Sequence, residues 1–195
     1  GMQSAFIDIG LERAAFLHIV DVLEQRRNPD ETQRIEHMLF EGQSVLVQVI
    51  KDPINTKGAR LSTQISLAGR FLVHLPQEDH IGISQRIEDD TERNSLRERL
   101  TNLLPEDACH GYIIRTNAEN ATDEQLQSDI HYLTKVWEHI QEQAKIQPPE
   151  TLLYQDLPLS LRVLRDMFSL DTQKILVDST ENHRRMTRFA EQYVH

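Results

Sequence analysis

Arg115 and Thr116 close an apolar run, Tyr112-Ile113-Ile114, with the donors that bind a phosphate group. A guanidinium is a planar fork that matches two phosphate oxygens, and a hydroxyl adds a third donor. An arginine at a strand end, paired with a nearby carboxylate, is the commoner arrangement, and the dipeptide alone favours it. Upstream lies Gly69-Arg70-Phe71-Leu72-Val73. Glycine lets backbone N–H groups approach an anion closely, although a simple bend at a strand start is more usual. Phe6 and Phe16 flank the turn-like Gly10-Leu11-Glu12-Arg13. Exposed rings on a small barrel can stack nucleobases. Taken alone, the two residues favour the core.

The charge pattern sets these groups apart. The chain carries 31 Asp and Glu against 21 Lys and Arg, a net charge of −10. Yet residues 53–77 contain no carboxylate, while Lys57, Arg60 and Arg70 are present. Gly82-Ile83-Ser84-Gln85-Arg86 and residues 108–117 are two further carboxylate-free stretches. Local removal of negative charge from an acidic chain keeps places for an anion. The overall charge excludes a sequence-blind nucleic-acid coat, which draws its affinity from many cations. Arg60 and Arg70 gain no role from the pattern and read as solvated.

Other chemistries find little support. The nine histidines lack ligand spacing: His131 and His139 share a helix with no completing cysteine or carboxylate. Cys109-His110 has no third partner for a thiol nucleophile. Glu88-Asp89-Asp90-Thr91-Glu92 stands at a helix start, where carboxylates complement the dipole. No phosphate-binding glycine loop or nucleophile elbow is present. No catalytic residue and no metal site is therefore assigned.

The elements that must position these groups follow from periodicity. Ala5–Ile9 and Ala14–Val20 read as strands, residues 28–40 as a loop with a short helix, and Ser44–Lys51 as a strand. Short strands with glycine-bearing turns suggest a small barrel over residues 1–63. Phe71–Leu75 and Gly111–Thr116 are strand candidates. Asp89–Leu104 is a helix with Leu96, Leu100, Leu103 and Leu104 on one stripe. Thr122 with Gln125 forms a capping box, after which Leu126, Ile130, Leu133, Trp137 and Ile140 recur at helical spacing. Gln147-Pro148-Pro149-Glu150 reads as a linker. Leu157–Phe168 reads as a helix, Lys174–Asp178 as a strand and Thr180–Tyr193 as a helix. So short a tail is expected to dock on the preceding part or on further sequence. No apolar run is long enough for a membrane span, and the N-terminus lacks a basic leader. The first strand starts abruptly, as if inside a domain. The single cysteine fits a reducing cytoplasm.

Five motifs in order resemble the ribonuclease E/G family: Gln3-Ser4-Ala5-Phe6-Ile7-Asp8-Ile9-Gly10, Ala14-Ala15-Phe16-Leu17-His18, Lys57-Gly58-Ala59-Arg60-Leu61-Ser62-Thr63, Gly82-Ile83-Ser84-Gln85-Arg86-Ile87-Glu88 and Ile113-Ile114-Arg115-Thr116. The resemblance implies an α+β chain. Residues 1–63 would be an S1 (OB-fold) β-barrel lacking its first strand, 64–160 an α/β 5′-sensor domain, and 161–195 a fragment of an RNase H-like domain. It further implies the RNA-binding and 5′-monophosphate-sensing part of a single-strand-specific endoribonuclease of mRNA decay and rRNA 5′-end maturation. Gly69, Val73, Arg86, Arg115 and Thr116 would bind the 5′-phosphate; Phe6, Phe16 and Lys57 would bind RNA. The first of two adjacent sensor arginines is Gln85 here, which would weaken the grip on the terminal nucleotide. The full-length parent would carry a catalytic Mg²⁺ and a structural Zn²⁺ and be a homo-oligomer. No segment here matches the catalytic aspartates or zinc cysteines, so the stretch is expected not to cleave and to need no cofactor. The alternatives are a non-enzymatic S1-type module and a phosphate-ligand sensor.

Overall fold

The computed structural model describes residues 3–22, 34–105, 111–168 and 171–193. Cys109-His110 lies outside them. The described residues are mixed α and β, with two four-stranded sheets among them.

The first sheet contains β1 (Ser4–Ile7), β2 (Ala15–His18), β3 (Gln48–Lys51) and β4 (Arg60–Ser62) in the order β1-β2-β4-β3. β1 and β2 form an antiparallel hairpin with Phe6 opposite Phe16. β2 and β4 run parallel, while β3 and β4 run antiparallel with a register shift between Val49 and Lys51. Gly10 turns the hairpin at φ +76, where a side chain would strain, and a Cβ there would stand 2.7 Å from the Glu150 carbonyl oxygen. The two-residue alternation sends Ala15 and Leu17 into a small core with Val22, Ala59 and Leu61. Phe6, Phe16 and His18 therefore share the opposite face. Residues 44–47 do not join the strand expected there. β4 is three residues long and offers ladder partners only to Gln48, Val49 and Lys51. Leu46 instead packs against the larger core and Val47 against the smaller one, which accounts for an apolar run with no polar face. The short helix α1 (Ile35–Met38) buries Ile35.

The second sheet contains β5 (Leu67–Ala68), β6 (Leu72–His74), β7 (Ile81–Ile83) and β8 (Tyr112–Ile114) in the order β5-β6-β8-β7. Leu72, Ile83 and Ile114 are buried on one face. Val73, Ile113 and Gly82 are register partners and make a row across the other. Helix α2 (Asp90–Leu103) starts where the Asp89 carboxylate accepts from the Glu92 N–H at 2.8 Å. It buries Leu96 and Leu100. Helix α3 (Asp123–Ile146) opens on the Thr122–Gln125 capping box and buries Leu126, Ile130, Leu133, Val136 and Ile140. Each such side chain stabilises by about 1.5–3 kcal/mol relative to exposure.

The tail docks on this second unit, as expected. Helix α4 (Leu159–Met167) and helix α5 (Thr180–Tyr193) contribute Leu164 and Phe189 to the core that holds Leu126 and Leu133. The Tyr132 ring lies 6.1 Å from Phe189 and 5.3 Å from Tyr193. α4 runs through positions 160–161, where the resemblance placed a domain division. Lys174–Asp178 forms no strand. Ile175 and Leu176 are exposed, so an extended segment gains neither burial nor a ladder there.

Candidate nucleic-acid interface

The turn from Gly69 to Leu72 is built around one buried carboxylate. Asp129, on α3, accepts from the Arg70 N–H at 3.0 Å through Oδ1 and from the Phe71 and Leu72 N–H groups at 2.9 and 2.8 Å through Oδ2. The Gly69 N–H donates to the Leu72 carbonyl at 2.8 Å. Gly69 is required by close approach: a Cβ would stand 2.4 Å from Asp129 Oδ2. Burial pushes the Asp129 carboxyl above its ordinary pKa, while the three N–H bonds and nearby Arg165 pull it back. The expectation that backbone N–H groups of this segment would face an anion is corrected here, because at residues 69–72 they are already bonded inside the protein. Asp129 itself escaped the sequence reading. Its sign was a carboxylate inside the apolar stripe of Leu126, Ile130 and Leu133.

Arg115 closes the other side of this turn. Its N–H donates to the Phe71 carbonyl at 2.9 Å, and its Nη1 donates to the Gly69 carbonyl at 2.6 Å. Among the described residues, no carboxylate pairs with it, unlike the commoner arrangement. Alternation along β8 places Arg115 on the same face as Ile113 and Val73. Thr116, half-buried, opens a 3-10 turn to Ala118. Arg86 and Gln85 are exposed in the turn after β7. That turn is fixed beside β8 by the Ser84 N–H donating to the Ile114 carbonyl at 2.8 Å. Arg93 Nη1 donates to the Ser84 and Ile87 carbonyls, both at 2.9 Å. Gly69, Val73, Arg115 and Thr116 thus gather at one end of the sheet, with Arg86 on the adjoining turn. From the tail, Arg165 Nη1 donates to the Ala68 carbonyl at 2.8 Å.

The first sheet carries an aromatic strip. Phe6 and Phe16 meet edge to face at 6.1 Å, and Phe16 lies 6.2 Å from the His18 ring. Phe6 is 66% exposed. The core reading of this pair is therefore overturned: their cross-strand register puts both on the face away from Leu17. Lys57 is exposed in a turn closed by reciprocal hydrogen bonds with Ile54 at 3.1 and 2.9 Å. Gly58 next to it packs so closely on β2 that a Cβ would stand 2.1 Å from the Ala14 carbonyl oxygen. Neither Arg60 nor Arg70 is merely solvated. Arg60 grips Asp21 Oδ2 through Nε at 3.0 Å and Nη2 at 2.8 Å. Arg70 lies over the Phe71 ring at 4.7 Å.

Chemically, the first sheet offers rings for stacking, and the second offers a braced guanidinium in the residue before a threonine hydroxyl. No group of three or more His, Cys, Asp or Glu able to hold a metal occurs among the described residues.

The profile of the Ribonuclease E/G family matches residues 66–195. The chain belongs to the ribonuclease E/G family. It is 38% identical over 201 residues to Ribonuclease G of Haemophilus influenzae, covering 100% of this chain and 40% of that protein. To Ribonuclease G of Escherichia coli strain K12 it is 39% identical, covering 100% of this chain and 41% of that protein. To Ribonuclease E of a Nostoc species it is 37% identical over 194 residues, covering 99% of this chain and 28% of that protein. The chain thus spans about two fifths of the length of these ribonuclease G relatives. Gly69, Val73, Arg86, Arg115 and Thr116 fall inside the ribonuclease E/G match. Phe6, Phe16 and Lys57 precede it, within the whole-chain similarity to Ribonuclease G.

Proposed function

We propose that this chain is the RNA-gripping, 5′-monophosphate-sensing part of a single-strand-specific endoribonuclease of the ribonuclease G kind, acting in mRNA decay and rRNA 5′-end maturation in the cytoplasm. The cutting chemistry, with its Mg²⁺, and assembly through Zn²⁺ belong to the remainder of such a protein. Residues 1–63 serve as an S1 (OB-fold) RNA-binding domain, 64–160 as the 5′ sensor and 161–195 as part of an RNase H-like domain. In support, the first sheet has the strand order of an OB barrel without its first strand, including the parallel step between β2 and β4. Its small core is separate from the large one.

The observation that carries the sensing role is Arg115, held half-buried by the Gly69 carbonyl next to Thr116. A terminal monophosphate carries about −1.5 to −2 charges and three strong acceptor oxygens. The remaining N–H groups of Arg115 and the Thr116 hydroxyl meet those oxygens. Partial burial strengthens each bond relative to open water. Arg86 adds long-range attraction from the adjoining turn. A 5′-hydroxyl lacks the charge, and a triphosphate is too bulky. Phe6 and Phe16 stack downstream bases, and Lys57 meets the backbone. Holding one RNA at two places raises its local concentration at an attached catalytic domain.

Short single-stranded RNAs differing only at the 5′ end test this by fluorescence anisotropy. The monophosphate is expected to bind about tenfold or more tighter than the hydroxyl, since each charge-assisted bond contributes about 1.5–3 kcal/mol. Arg115→Ala is expected to erase the difference. Equal binding of both ends by the unmutated protein would sink the sensor role and leave an S1-type RNA-binding module.

A further inference from the structure

Arg70 has no part in the function described so far, and its surroundings differ from those of other arginines. Arg60, Arg99 and Arg165 meet the carboxylates of Asp21, Asp123 and Asp166. The half-buried Arg70 meets a ring instead, its guanidinium carbon lying 4.7 Å from the centroid of Phe71. Among the described residues, no carboxylate pairs with it and none of its side-chain N–H groups has a hydrogen-bond partner. The acid inside this turn, Asp129, is engaged by the backbone N–H groups of Arg70, Phe71 and Leu72. A guanidinium stacked on a ring spends its flat face, while its N–H donors point outward in the plane and stay free for an acceptor.

The backbone fixes where those donors stand. Arg70 follows Gly69, whose carbonyl accepts from Arg115 Nη1 at 2.6 Å. It precedes Phe71, whose carbonyl accepts from the Arg115 N–H at 2.9 Å. Phe71 thus continues the antiparallel register that pairs Leu72 with Ile114. Side chains directly opposite in such a pair share one face, so the ring that carries Arg70 stands on the Arg115 side of the sheet. Two guanidinium groups without a carboxylate partner among the described residues therefore border one turn. With a 5′-phosphate on Arg115, the next anion along an RNA strand is the phosphodiester after the first nucleoside. Its single charge and two terminal oxygens match the edge of a second guanidinium.

We propose that Arg70, stacked on Phe71, holds this first internucleotide phosphate, so that the site reads two successive phosphates rather than a terminal phosphate alone. The proposal rests on the RNA-binding reading above. It makes the chain favour a 5′-phosphorylated strand over a free 5′-mononucleotide.

The test uses the full chain and short 5′-phosphorylated RNAs whose first linkage is either a phosphodiester or a methylphosphonate, which keeps the shape and removes the charge. The neutral linkage is expected to weaken binding to the unmutated protein about five- to tenfold and to cost Arg70→Gln nothing. The salt slope of log affinity should fall by about 0.7 in Arg70→Gln, the value for one phosphate contact on a single strand. Uridine 3′,5′-bisphosphate should displace labelled RNA from the unmutated protein about five- to tenfold better than uridine 5′-monophosphate, which tests the proposal even if the variant folds poorly. No loss with the neutral linkage, an equal loss in Arg70→Gln, an unchanged salt slope, or equal displacement by the two nucleotides would each overturn it. RNAs with a 5′-phosphate or a 5′-hydroxyl, run beside these, separate the two sites. A cost of neutralising the first linkage without any 5′-phosphate preference supports Arg70 and counts against Arg115. A 5′-phosphate preference without that cost does the reverse, and no binding of any RNA overturns both.

Discussion

Arg115 Nη1 donates to the Gly69 carbonyl at 2.6 Å across 46 residues of sequence. The bond aims the guanidinium and leaves its other N–H groups for a ligand. Lysine would supply the charge but not a fork able to hold a carbonyl and a phosphate together. Arg115→Lys is therefore expected to lose roughly tenfold of the monophosphate preference, or about 1.4 kcal/mol. Its thermal midpoint should stay close to that of the unmutated protein. Anisotropy with the paired 5′ ends, beside a melting curve, checks both.

The Gly69–Leu72 turn is expected to be the least tolerant part of the pocket. In Gly69→Ala the new methyl would press on the Asp129 carboxylate and displace it from three N–H donors. A loss of about 2–4 kcal/mol in stability is expected, since unpaired buried donors each cost about 1–3 kcal/mol. Asp129→Asn removes acceptor capacity without adding bulk and should also speed hydrogen exchange at the Arg70, Phe71 and Leu72 amides. Unchanged exchange there in Asp129→Asn would show that the carboxylate does not hold the turn.

Phe6→Ala should leave stability within about 0.5 kcal/mol, because the ring is mostly exposed. Its affinity for single-stranded RNA should fall by about 1–3 kcal/mol, the range for one base–aromatic stack. Phe6→Trp should retain binding and Phe6→Leu should not. RNA titrations of the three variants decide this, and equal affinities would remove the stacking role.

His74 is buried, stacked on Tyr112 at 4.6 Å, with Nδ1 3.1 Å from the Gly111 carbonyl oxygen. Burial holds its pKa below the ordinary 6.5, against the raising effect of that carbonyl. As pH falls below that value, the unfolded chain takes up the proton first. The stability His74 contributes is thus fully present above about pH 6.5 and declines toward the lower folded pKa. The stability difference between the unmutated protein and His74→Asn should shrink as pH falls from about 7.5 to about 5.5. Denaturant titrations at both pH values measure it.

Local chemistry made much of this structure legible. The Thr122–Gln125 capping box and the stripe from Leu126 to Ile140 announced α3, because spacing alone fixes which side chains face inward. The hairpin over Gly10 was equally plain. Lys174–Asp178 misled because β-type residues form a strand only where an edge accepts them, and a sequence does not display its edges. Arg115 and Thr116 stood out by residue type, but the bracing of Arg115 by Gly69 did not. Phe6 and Phe16 misled in isolation, since a ring reads as core until its cross-strand register is known. Asp21 as the partner of Arg60 likewise needed the parallel β2–β4 pairing to bring the two together.

The hydrogen bond from Arg165 to the Ala68 carbonyl has a mechanical consequence. The turn that follows Ala68 is strapped from behind by the tail helix, so the posture of that helix and the shape of the turn form a single lever. A molecule that pulled α4 away would slacken the turn without touching Arg115.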